Sequence, residues 1–196
     1  MTGKTHASLG LATGTAVAWY TGAQGGELVF TLAAATVAAL LPDLDEKSSK
    51  INQALFGKLP RSYRSAALTV IGIAGVAGFI AYELPLWVLV LSLFLVGVSF
   101  AAHRGLTHSL IALITVVWVT SQVFPLFTLA VGTGYLSHLL ADAVTSQGVP
   151  LFWPWQKRVS LSNAGVRIRT GRTTDQVTGA LAGWGSGLML IWLIFA

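Results

Sequence analysis

The heptapeptide His103-Arg104-Gly105-Leu106-Thr107-His108-Ser109 carries two of the chain's four histidines and the only basic residue between Arg64 and Lys157. Apolar sequence flanks it, 84–102 before and 110–119 after. Ionisable side chains set between two such runs are costly and mark functional positions by default. Three more groups share the character of this knot: His6 near the start, Asp43 and Asp45 after Pro42, and His138 with Asp142. The last two are four residues apart and so share one helix face.

Each piece has a structural reading when taken alone. Asp43 and Asp45 suit a helix cap, as do Thr107 and Ser109. Arg104 suits a topology anchor, His6 an interfacial histidine, and His138–Asp142 a helix pair. Two imidazoles flanking one tight turn at a helix–helix junction fit that explanation poorly. Together the set points to a metal site with His6, Asp43, Asp45, His103, His108, His138 and Asp142 as ligands. Imidazole and carboxylate without thiolate suit Zn²⁺ first, with Mn²⁺ or Fe²⁺ as alternatives. Seven ligands exceed the needs of one tetrahedral zinc. Two ions about 3.5–4 Å apart would use them better and would act on a phosphoryl group. Arg104 would then neutralise phosphate charge.

The elements that must position these residues follow from composition. Of 196 residues, 54% are hydrophobic and 10% charged, against about a quarter charged in soluble domains. The class is therefore an all-α integral membrane protein forming one membrane-embedded domain over 1–196. Disulfides and thiolate sites are excluded because cysteine is absent. Seven short apolar helices are expected over 7–20, 28–41, 66–82, 84–102, 109–123, 125–141 and 177–195, several shorter than the ~20 residues that span a bilayer comfortably. The first two are rich in Ala and Gly, which lets helices approach closely.

Seven spans would place all twelve Lys and Arg on one side, which the positive-inside rule makes the cytoplasm. The N-terminus is then cytoplasmic, and every His and Asp maps to that face. Lys4, the first apolar run and Ala16-Val17-Ala18 also resemble a signal peptide, but the charge alternation fits best when the first segment stays. The net charge of +5 would suit nucleic acid, yet its placement argues for a membrane surface and membrane lipid as partner. Two cytoplasmic connections stand out: a polar loop over 43–65 and an aromatic, basic stretch over 148–175. In the latter, Val159-Ser160-Leu161 and Val166-Arg167-Ile168-Arg169 alternate around Asn163-Ala164-Gly165, which predicts a small β-hairpin insertion.

Thr5-His6, Leu41-Pro42-Asp43-Leu44-Asp45, the 103–109 heptapeptide and Ser137-His138-Leu139-Leu140-Ala141-Asp142, followed by Thr145, Gly148 and Trp153-Pro154, resemble the YdjM-like family. Its members are described as LexA-regulated, membrane-bound metal-dependent hydrolases of the bacterial inner membrane. The likeness covers essentially the whole chain. More distantly, the His/Asp pattern is similar to zinc-dependent phospholipase C. That resemblance implies a centre of one to three ions with His6, Asp43, His103, His108, His138 and Asp142 as first-choice ligands. Asp45 is implied as a ligand, a partner of one, or a base. The family expects an acidic residue after the Gly-rich turn, usually Glu; here it is Asp175. The expected function is hydrolysis of a phosphoester, a phospholipid or another membrane-borne substrate, at the cytoplasmic face. Asp45, Arg104 and Asp142 would be catalytic, and Arg104, Thr107, Ser109 and Asp175 would contact substrate. The alternatives are a divalent-metal transporter or sensor, and a membrane scaffold with a structural metal.

Overall fold

Each of the seven apolar stretches becomes a helix. The computed structural model describes residues 1–45, 53, 57, 59–101, 105–155, 157–161 and 168–195, with the Asp45 side chain outside the described set. Among them lie α1 (Gly3–Thr21), α2 (Gly25–Ala38), α3 (Arg61–Tyr82), α4 (Leu86–Phe100), α5 (Leu110–Val123), α6 (Thr128–Ala143) and α7 (Thr173–Phe195). Punctuation is local. Thr2 caps α1 by accepting from the Thr5 amide, and Gly22 closes that helix in the left-handed region at φ 71°, where glycine carries no Cβ penalty. Pro60 and Pro85 precede α3 and α4.

Only α3 and α7, of 22 and 23 residues, are long and apolar enough to cross a membrane by length and composition. The 14-residue α2 and α5 reach about 21 Å at 1.5 Å per residue, short of a hydrocarbon layer of about 30 Å. Large apolar side chains such as Trp184 and Phe195 of α7 are mostly exposed.

Packing is arranged around α1 and α6. Helix α1 touches α2, α6 and α7, while α6 also touches α2 and α5; α4 joins α5 to α3. Small residues set the tightest approach. A Cβ on Gly10 would meet Ala39 Cβ at 2.6 Å and the Thr36 Cα at 2.8 Å, and one on Gly14 would meet Ala35 Cβ at 2.9 Å. From the other side, a Cβ on Gly134 would run into the backbone of Ala35. Helix α2 is thus pressed between α1 and α6 because glycines face it from both. Below this contact, Tyr135 and Leu139 of α6 pack with Ala38 and Ala112 as a buried apolar cluster.

The expected β-hairpin insertion is not supported: the described residues contain no strand. Val149 pairs with Val159 in one isolated antiparallel bridge, and Thr145 with Ile168 in one isolated parallel bridge. In the first bridge the Val149 and Val159 amides each donate to the other's carbonyl, at 3.0 and 2.8 Å, and the pairing extends no further among the described residues. Gly148 precedes it at φ 62°, and a Cβ there would sit 2.6 Å from Val159 O. The turn residues Asn163, Ala164 and Gly165 lie outside the described residues, as does most of the 43–65 loop.

Candidate metal centre

Four elements bring donor side chains to one end of the bundle. His6 stands in the first turn of α1 and Asp43 in the 3-10 turn Leu41–Asp45 after α2. His108 closes the 3-10 turn Leu106–His108 before α5, and His138 and Asp142 occupy the last turns of α6. All five residues are buried. They form two groups whose donor atoms lie within 4.8 Å of one another: His6, His138 and Asp142, and Asp43, His108 and His138.

The distances suit a metal. His6 Nε2 lies 3.2 Å from Asp142 Oδ1, and the Nε2 atoms of His108 and His138 are 3.3 Å apart. Asp43 Oδ1 is 3.6 Å from His108 Nε2 and 3.7 Å from His138 Nε2. Asp142 Oδ2 is 3.9 Å from both of those nitrogens. Bonds of about 2.0–2.2 Å in a tetrahedral zinc site place donors about 3.3–3.6 Å apart. The His6 and His138 rings stack at 3.7 Å, and His108 meets His138 edge-on. The Met1 amino group also lies against Asp142 Oδ1.

Hydrogen bonding fixes which nitrogen faces the cluster. His138 Nδ1 lies 2.8 Å from the Ala39 carbonyl. A carbonyl only accepts, so Nδ1 carries the proton, and neutral His138 presents a bare Nε2 lone pair to two carboxylates and a second imidazole. That arrangement is repulsive unless a cation or a further proton sits among them. A hydrogen bond of this kind to the remote nitrogen is the usual support of a ligating histidine. His108 Nδ1 similarly faces Thr107 Oγ1 at 3.1 Å, leaving Nε2 for the cluster. His6 differs. It is fully buried, and neither ring nitrogen makes a hydrogen bond among the described residues, because the 3.2 Å approach to Asp142 is not aligned as one. Buried polar atoms left in this state call for an explanation, and metal ligation supplies one. Burial raises the Asp43 carboxyl, but the imidazoles of His108, His138 and His6 lower it more, so it stays below its ordinary range and in the anionic form a metal takes.

The turn that carries His108 is held from three sides. Ser109 caps α5, accepting from the Ala112 amide at 3.2 Å and donating to Leu106 O at 2.6 Å. Tyr135 OH donates to Thr107 O at 2.5 Å. The Leu110 amide bonds to Leu151 O at 2.9 Å, tying the turn to the stretch after α6.

Of the residues expected from sequence, His6, Asp43, His108, His138 and Asp142 converge. Thr107 and Ser109 are buried in the turn beside them, with hydroxyls turned to His108 and to the helix cap. His103, Arg104 and the Asp45 side chain lie outside the described residues. Asp175 belongs to neither donor group; it is fully buried and accepts from Thr2, Thr5 and Gly171. Sequence reasoning missed Tyr135, although it stands three residues before His138 on the same helix face. It also missed the Ala39 carbonyl, which has no side-chain signature.

Short apolar helices that gather imidazoles and carboxylates at one end define a helical membrane protein with a candidate metal centre. Comparison with known proteins agrees on the class. The chain belongs to the family described as YdjM inner membrane protein, which it matches over residues 1–196. It is 30% identical over 179 residues to the uncharacterized protein YvsG of Bacillus subtilis, covering 90% of this chain and 86% of that one. It is 41% identical over 66 residues to the inner membrane protein YdjM of Escherichia coli, a stretch covering 30% of this chain and 34% of that protein. No solved structure matches the chain.

Proposed function

We propose that this protein is a membrane-bound, metal-dependent hydrolase acting on a phosphoester, a phospholipid or another membrane-borne substrate, at the cytoplasmic face. The observation that carries the reading is His138: its proton is committed to Ala39 O, and its lone pair faces His108 and two carboxylates. Zinc, or manganese or iron in its place, would be held by His6, Asp43, His108, His138 and Asp142, with His103 as a further ligand. A divalent metal supplies Lewis acidity toward a phosphoryl oxygen and acidifies water at neutral pH.

The chain's own residues supply the rest. Both oxygens of Asp142 face imidazoles, which favours a ligand role and leaves Asp45 to accept the proton of the attacking water. Arg104, with the Gly105–Ser109 turn, is assigned to the phosphate. The bases Lys157, Arg158, Arg169 and Arg172, in the connection between α6 and α7, would draw anionic lipid at about 1 kcal/mol each. Transport is less well supported. A path across the bilayer needs ionisable groups along its length, and among the described residues the acids remote from the cluster's end are Glu27 and Glu83.

The test is turnover of a short-chain phosphoester by purified protein with added Zn²⁺ or Mn²⁺. Activity should vanish with a chelator, return with metal, and be lost in Asp43→Asn. Protein that retains bound metal yet turns over no phosphoester would point to a structural ion instead.

A further inference from the structure

Three histidines meet at the centre, and two of them are aimed by a hydrogen bond on the far nitrogen: His138 by Ala39 O and His108 by Thr107 Oγ1. His6 has no such bond among the described residues. Its ring stacks on His138 and approaches Asp142, and with no hydrogen bond on the far nitrogen its placement there depends on the first turn of α1. That turn is fastened at one carboxylate. Asp175, fully buried at the start of α7, accepts from Thr5 Oγ1 at 2.6 Å, from the Thr2 amide at 3.0 Å and from the Gly171 amide at 2.7 Å. Burying an ionised carboxylate is costly unless it is fully hydrogen-bonded, so these donors hold it and are held by it in turn. Two glycines make the contact feasible. Gly171 sits at φ 78°, the left-handed region. Gly179, one turn beyond Asp175, would place a Cβ only 3.0 Å from Thr5 Oγ1 and 3.2 Å from Thr5 Cα.

We propose that Asp175 is a positioning residue for His6: through Thr5 and Thr2 it locks the first turn of α1 onto α7, and so sets the one imidazole of the three that has no hydrogen bond on its far nitrogen among the described residues. The inference rests on the reading of this cluster as a metal site. It gives Asp175 a task other than contact with substrate.

The experiment uses the full-length protein in detergent, with two measurements. Zinc affinity is read by competition with a chromogenic chelator. Separately, carbethoxylation of each histidine by diethyl pyrocarbonate in the metal-free protein is followed by mass spectrometry. Asp175→Asn should weaken zinc binding about tenfold, at the lower end of what is lost when a ligand's support is removed. It should raise the modification rate of His6 severalfold while His108 stays protected. Thr5→Val should move both readouts the same way, and Thr5→Ser, which keeps the hydroxyl, should leave them at wild-type values. Unchanged protection of His6 in both Asp175→Asn and Thr5→Val would overturn the proposal. So would equal exposure of His6 and His108, which would mean general loosening. Should the wild-type chain take up no zinc, the metal reading fails; the reactivity of His6 still decides whether Asp175 positions it.

Discussion

Two helix pairs in this molecule use the same packing device to different ends. In the α3–α4 hairpin, a Cβ on Gly72 would meet Val96 Cγ2 at 2.6 Å and Ser92 O at 2.7 Å. Around α2, Gly10, Gly14 and Gly134 allow the same intimacy. The hairpin, however, contains no His and no Asp. Two of its hydroxyls are satisfied close at hand, Ser92 by Val88 O and Thr69 by Ser65 O and Ser99 Oγ, and its one buried charged side chain, among the described residues, is the cation Arg64. The α1–α2–α6 region ends instead in buried imidazoles and carboxylates. Close approach of small residues is therefore a way of building helix pairs without water, not a mark of a site. What marks the site is imidazoles and carboxylates gathered together at the end of such a pair.

Four substitutions would break or sharpen that contrast. The largest effect is expected for His138→Ala, which takes a donor from both groups. Zinc affinity should fall more than about 100-fold, beyond what loss of outer partners costs, as measured by metal content after dialysis against a weak chelator. Next come Gly134→Ala and Gly72→Ala, one methyl placed against backbone in each region. Both should lower stability by about 1–3 kcal/mol in denaturant titrations. Only Gly134→Ala should also weaken zinc binding, because it parts α6 from the α2 end whose carbonyl orients His138. Equal loss of zinc affinity in Gly72→Ala would make the hairpin part of the centre's frame. The smallest effect is expected for Tyr135→Phe, which removes one hydrogen bond to the His108 turn, worth about 1 kcal/mol. A fall in zinc affinity of up to about fivefold, with little change in melting temperature, would place Tyr135 among the supports.

The helices were legible because each apolar run is bounded by polar or turn residues, and of the His and Asp expected at one end, His6, Asp43, His108, His138 and Asp142 do come together. Spacing sufficed for His138 and Asp142, which share a face of α6 as their separation requires. In the 148–175 stretch, alternation is a side-chain signal and does not say which backbone partner a segment takes: among the described residues Val159 pairs with Val149, and Ile168 with Thr145, as isolated bridges. Asp175 looked like a site acid because nothing in sequence reveals that Thr2 and Thr5, some 170 residues earlier, come to its carboxylate. Nor could sequence show that the tautomer of His138 is decided by a main-chain oxygen.

One consequence of that oxygen concerns stoichiometry. With Nδ1 engaged at Ala39, His138 has a single electron pair to give, yet it is counted in both donor groups. It can serve one ion at a time. Were two ions to bind, whichever group the first left behind would lose that imidazole, and a metal titration should then show stepwise uptake, tight and then weak.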